Sequence, residues 1–132
     1  MTKAKASNYM DNPRVMDHFL YPRNVGSIDG ASAVGTAGNP ADGDTVRLYL
    51  RIEEDTIVDV KVQVFGCPVA IAAASALTEM IRGKSVDEAL TVRNEDVSAA
   101  LGGLPEEKLH CSVLAETVLE DAISRYRREK AD

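Results

Sequence analysis

The chain has 132 residues, of which 45% are hydrophobic and 27% charged, with 9 glycines, 5 prolines and 2 cysteines. That is one domain's worth of sequence with enough apolar surface for a real core, and it excludes a disordered chain, a collagen-like chain and a disulfide-dense mini-protein. The net charge of −6 carries no signature of a nucleic-acid binder and favours, if anything, basic protein partners.

Residues 1–12 read as a flexible polar lead-in with no apolar core of a signal peptide. No stretch approaches a membrane span, so the expected compartment is the cytoplasm, with no membrane partner. There, Cys67 and Cys111 are expected as free thiols rather than a structural disulfide.

Asn12-Pro13 is a helix start, and Val15, Met16 and Phe19 share one face of a short helix that ends before Pro22. Gly35 to Gly43 reads as a glycine-rich, turn-like stretch. From Thr45 to Ile52, Val46, Leu48, Leu50 and Ile52 alternate with polar positions. Ile57 to Phe65 resumes the alternation through Val58, Val60, Val62 and Val64. With Glu53-Glu54-Asp55 as the turn, this is a hairpin with one wet face.

Gly66-Cys67-Pro68 opens a helix over 69–81, apolar nearly all round and therefore buried, with Gly83 just past its end. Shorter helical pieces follow at 85–90 and 95–101, broken by Gly102-Gly103. The last helix carries Cys111, Ala115, Val118, Leu119, Ala122 and Tyr126 as a core stripe. Arg125, Arg127, Arg128 and Lys130 at its end suit the negative pole of the helix. The class is α+β, a single domain over 13–132.

Few residues offer chemistry. Cys67, at a strand-to-helix junction, sits where backbone N–H groups favour a thiolate; it is equally well read as a small buried hydrophobe. Cys111 follows His110, a soft ligand beside a borderline one, although Cys111 also fills the core stripe and His110 then points to solvent. Asp42-Gly43-Asp44 is a common turn sequence that also supplies two carboxylates. His18 is a lone histidine with little claim to function. No C-x-x-C, H-E-x-x-H, phosphate-loop or G-x-S-x-G motif is present.

At these residues the chain resembles the IscU/NifU-type iron–sulfur cluster scaffold family. Asp17-His18-Phe19 with Pro22-Arg23-Asn24-Val25-Gly26 is similar to the family's N-terminal signature. Gly38-Asn39-Pro40-Ala41-Asp42-Gly43-Asp44 is similar to its first ligand loop, and Phe65-Gly66-Cys67 with Ala70-Ile71-Ala72 to its second. Leu104-Pro105, Lys108-Leu109-His110-Cys111-Ser112 and Leu114-Ala115-Glu116 resemble the third. The resemblance implies a small antiparallel sheet of about three strands packed with several helices, including a long C-terminal one. It implies a scaffold, not an enzyme, that builds a transient 2Fe-2S cluster from iron and from persulfide sulfur delivered by a cysteine desulfurase, then passes it to acceptor apo-proteins. The implied ligands are Asp42, Cys67 and Cys111, with His110 or Asp44 as the fourth. Asp44 favours cluster release, Cys111 accepts the persulfide and Lys108 orients or neutralises the cluster.

Three departures qualify the match. Asp42 stands where the family carries its first cysteine, leaving two thiolates and an added carboxylate. A homodimer sharing one cluster, with two cysteines from each chain, would supply four thiolates without Asp42. Glu106-Glu107 replaces Pro-Val in the Leu-Pro-Pro-Val-Lys segment of chaperone-dependent members, which counts against recognition by that chaperone. Pro68-Val69 replaces the usual Gly-Ser. Cys67 and Cys111 are 44 residues apart, without the long insertion of zinc-binding SufU-type relatives. The alternative reading is a degenerate relative that holds zinc through Asp, Cys, His and Cys and regulates a desulfurase.

Overall fold

The computed structural model describes residues 11–39, 41 and 43–131, so most of the expected lead-in, together with Pro40 and Asp42, lies outside the described residues. Helix α1 (Pro13–Leu20) leads to strands β1 (Ala33–Asn39), β2 (Asp44–Glu53) and β3 (Thr56–Phe65). Helices α2 (Pro68–Ile81), α3 (Val86–Ala89), α4 (Asn94–Ala100) and α5 (Leu109–Ala131) follow, with a 3-10 turn over Glu106–Lys108 before α5. The strands form one antiparallel sheet in the order β1-β2-β3. The expected α+β class, three-stranded sheet and long C-terminal helix are all present.

The hairpin forms as its alternation predicts: Val46, Leu48, Leu50 and Ile52 are buried on one face, while Arg47 opposite them is exposed. Its turn is tighter than three residues. Glu53 pairs with Thr56, and Glu54 and Asp55 both take positive φ, the geometry that matches strand twist in a two-residue connection. The simple alternation in β3 fails at Val58. Arg51 pairs with Asp59 but Ile52 with Ile57, so Val58 is an extra, bulged residue and lies exposed, while Ile57 takes the core position.

The glycine-rich stretch is not all turn. Residues 33–39 form β1, in register from Ala33↔Leu50 to Asn39↔Asp44. Strand patterning is hidden there because Gly35 supplies space instead of a side chain. A Cβ on Gly35 would lie 2.6 Å from the Ala122 backbone N and 2.7 Å from the Val118 carbonyl O, so α5 packs its backbone directly onto the strand.

Helix α2 is buried nearly all round, from Val69 to Ile81, as its composition requires. It packs between β3, α5 and α1. Asn12 caps α1, its side chain accepting from the Arg14 and Val15 N–H groups and donating to the Leu101 carbonyl at 2.7 Å. On α5, Cys111, Ala115, Val118, Leu119, Ala122 and Ile123 face the core. The basic residues at its end do more than face the dipole. Lys130 reaches Asp55 at 2.9 Å, the Tyr126 hydroxyl donates to the same carboxylate at 3.0 Å, and Arg127 pairs with Asp87, tying α5 to the hairpin turn and to α3.

Candidate metal centre

Three chain segments end at one point on the rim of the sheet. Asp44 opens β2, Cys67 caps α2 just after β3, and His110 and Cys111 lie in the first turn of α5. Since Thr45 pairs with Phe65, the start of β2 lies beside the end of β3, which brings Asp44 next to the residues leading into α2. The Cys67 N–H donates to Asp44 Oδ1 at 3.1 Å. Gly66 makes this approach feasible, because a Cβ there would collide with the Asp44 carboxylate. Reading the sequence missed this role for Gly66; the signal available was a lone glycine between a strand and a helix cap.

The two thiols meet with Cys67 Sγ and Cys111 Sγ 3.9 Å apart. His110 Nε2 lies 3.6 Å from Cys111 Sγ and 3.5 Å from Asp44 Oδ2. The imidazole is therefore turned toward the site even though its side chain is 58% exposed. One ligand atom each from Asp44, His110 and Cys111 lies within 4.8 Å of the others, the spacing of groups that share one metal ion. Of the expected site residues, the fold thus assembles Asp44, Cys67, His110 and Cys111. Lys108 ends the 3-10 turn two residues before His110, close enough for its charge to act on the Cys111 thiol. Asp42, the expected third ligand, lies outside the described residues.

Burial dominates the electrostatics of Cys111. The residue is 1% exposed, and its thiol is pushed up to about 12 by desolvation first, then by the adjoining Cys67 and by Asp44, with Lys108 opposing. A cation or a structural opening that replaces what burial removes favours loss of that proton. Cys67 is less enclosed, of intermediate exposure.

His18 is not part of this cluster. Its Nδ1 lies 2.7 Å from Ser75 Oγ, which also accepts the Arg23 N–H at 2.9 Å, and its Nε2 faces Glu79 at 3.7 Å. It pins α1 and the following loop onto α2. Burial first, and then the Arg23 charge, lower its pKa.

Two thiols, an imidazole and a carboxylate converge from separate element ends at the rim of a small domain, a donor set that could hold a thiophilic metal or cluster. The chain belongs to the NifU-like N terminal domain family, whose model matches residues 9–132. It is 48% identical over 120 residues to "Iron-sulfur cluster assembly scaffold protein IscU 1" of Archaeoglobus fulgidus, covering 91% of this chain and 78% of that protein. It is 45% identical over 119 residues to "Nitrogen fixation protein NifU" of Azotobacter chroococcum, covering 89% of this chain but 38% of that longer protein. Among solved structures, a putative SUF-system scaffold protein from Fervidobacterium islandicum superposes with a TM-score of 0.72 at 26% identity, over 83% of this chain and 93% of that one. A NifU-like N-terminal protein from Brucella abortus shares the fold, with a TM-score of 0.74 at 19% identity over 95% of this chain and 99% of that one.

Proposed function

We propose that the protein is a scaffold, not an enzyme, on which an iron–sulfur cluster is assembled and from which it passes to acceptor apo-proteins. The observation that carries this is the juxtaposition of Cys67 and Cys111 at 3.9 Å with His110 and Asp44 beside them, on a chain 48% identical to a named assembly scaffold. The cluster is cargo, held by four groups from three element ends, so the site can release it by small movements of those ends.

In this reading the cargo is a 2Fe-2S cluster. Cys67 and Cys111 hold iron as thiolates, Asp42 stands in for the third thiolate, and His110 or Asp44 completes the set. Asp44, fixed by the Cys67 N–H, is a hard ligand among soft ones and favours release. Lys108 offsets the negative charge of thiolates and sulfide. Sulfur comes from a cysteine desulfurase persulfide: the Cys111 thiolate attacks the sulfane sulfur, that sulfur's bond to the desulfurase breaks, and the desulfurase thiolate leaves. Because Cys111 is buried, the first turn of α5 must open for this exchange, and desulfurase docking is the event we assign to opening it. The working compartment is the cytoplasm, where thiols stay reduced. Glu106 and Glu107, both exposed, disfavour the Leu-Pro-Pro-Val-Lys-dependent chaperone as a partner.

A second reading is favoured by the same four groups. A carboxylate, an imidazole and two thiols are a tetrahedral zinc set, and zinc bound there would make the chain a desulfurase-binding regulator. Anaerobic reconstitution with iron and a cysteine desulfurase separates the two. Stoichiometric iron and sulfide with a thiolate-to-iron absorption band supports assembly. Retained zinc with no cluster overturns it. Repeating the assay with Asp42→Ala tests that ligand, and the size of the holo form tests a cluster shared between two copies, which a monomeric holo form would refute.

A further inference from the structure

The chain contains two cysteines, and the fold sets them face to face, with Cys67 Sγ and Cys111 Sγ 3.9 Å apart. Holding iron requires only that both thiols reach one metal. The sulfur delivered here makes a further demand: sulfane sulfur must gain two electrons before it is the sulfide of a cluster. Two thiols that become a disulfide release two electrons. We propose that Cys67 and Cys111 are a resident two-electron reductant, which discharges a persulfide formed on either of them as sulfide and closes a Cys67–Cys111 disulfide. This rests on the reading above that sulfane sulfur is delivered to the site, and it gives the source of the first electron pair.

The step balances within the site. The Cys67 sulfur attacks the inner sulfur of the Cys111 persulfide, and a bond forms between the two Sγ atoms. The bond from Cys111 Sγ to the outer sulfur breaks, and that sulfur leaves with the bonding pair and takes up the Cys67 thiol proton as hydrogen sulfide. Counted from two free thiols, each cysteine sulfur gives up one electron and the sulfane sulfur gains two. A persulfide on Cys67 attacked by Cys111 gives the same products. A further turnover requires an external dithiol to reopen the disulfide.

Geometry favours the inner sulfur as the point of attack, since that atom is the one placed opposite Cys67. The sulfurs close from 3.9 Å to the ~2.05 Å of a disulfide. Cys67 sits at the N-cap of α2 and makes no side-chain cap hydrogen bond, so its thiol is not committed to the helix end. His110 Nε2, 3.6 Å from Cys111 Sγ on a largely exposed ring, is in reach of the proton that moves. With two thiols in the chain, one intramolecular pairing is available and none competes with it.

The test is a single turnover on the full chain, anaerobic and metal-free, with a persulfide-loaded cysteine desulfurase and no added thiol. The expected result is one sulfide released per chain, loss of both alkylatable thiols and an intact mass lower by two hydrogens. Cys67→Ser is expected to keep the transferred sulfur on Cys111 and to release none. A wild-type chain that keeps the extra sulfur, with Cys67 still free, overturns the inference and leaves the scaffold reading standing. A second arm needs no desulfurase: one equivalent of dithiobis-nitrobenzoate is expected to release two thionitrobenzoates and leave no adduct. A retained adduct overturns the inference. Double release here, with no sulfur transfer in the first arm, overturns the delivery reading instead.

Discussion

Gly35→Ala should damage this fold more than a single added methyl suggests. The new Cβ would lie 2.6 Å from Ala122 N, 2.7 Å from Val118 O and 2.8 Å from Ala122 Cβ. Two of those atoms are helix backbone, so no rotamer relieves the contact. To reach an ordinary separation of ~3.4 Å, α5 must retreat from β1 by about 0.6–0.8 Å, and a gap of that size forfeits a quarter to a half of the dispersion attraction along the seam. The seam includes Ala115, Val118, Leu119 and Ala122, all buried. Overpacking of this kind costs about 2–3 kcal/mol, a large share of a typical domain's ~5–15 kcal/mol. The assay is thermal unfolding followed by circular dichroism, with an expected fall in Tm of about 6–10 °C. Ala122→Gly removes only the third contact, so the double variant should recover little. A Gly35→Ala chain within about 0.5 kcal/mol of wild type, or full rescue by Ala122→Gly, would refute the close-approach argument.

Three further outcomes follow from the same structure. Gly66→Ala forces the Asp44 carboxylate off the Cys67 N–H and away from His110; iron or zinc affinity should fall about 10-fold or more in a chelator competition while the circular dichroism spectrum is kept, and unchanged affinity would count against the orienting role. His18 has a lowered pKa in the fold, so the unfolded chain binds its proton more readily: the stability contribution is complete above the unfolded value of 6.5 and is lost as pH falls through the folded pKa. The urea midpoint should therefore drop as pH falls below the unfolded value of 6.5, and His18→Gln, which removes the titration, should flatten that slope; an unaltered slope assigns it elsewhere. Asn12→Ala removes a cap and the donor to Leu101 O and should cost about 1–2 kcal/mol, whereas Asn12→Asp keeps the cap and should cost less; equal losses would mean the Leu101 contact dominates.

In the proposed function, the burial of Cys111 lets one site both accept sulfur and protect it. With metal absent, the thiol is protonated and nearly inaccessible, which guards it against stray electrophiles. On that same proposal, iron, or a partner that opens the turn at Glu106–Lys108 and the start of α5, converts it into a ligand.

The elements that announced themselves in the sequence are those whose patterns are local. Alternation from Val46 to Ile52, Pro68 after Cys67, and the three- and four-residue spacing from Cys111 to Ala122 each state a conformation and a buried face within one segment. The candidate ligands were legible as residue types and, through the resemblance, as a set. Three things were decided only in three dimensions. Strand β1 was hidden because its key residue, Gly35, contributes an absence that has meaning only once α5 lies on it. Val58 was displaced by a bulge, a register choice made between two strands rather than within one. The site itself exists because pairing Thr45 with Phe65 carries Asp44 to Cys67, and because α5 packs its first turn beside them, leaving 3.9 Å between sulfurs 44 residues apart in the chain. Spacing along a chain sets what each segment can form; distance between segments is set by the packing that excludes water from all of them at once.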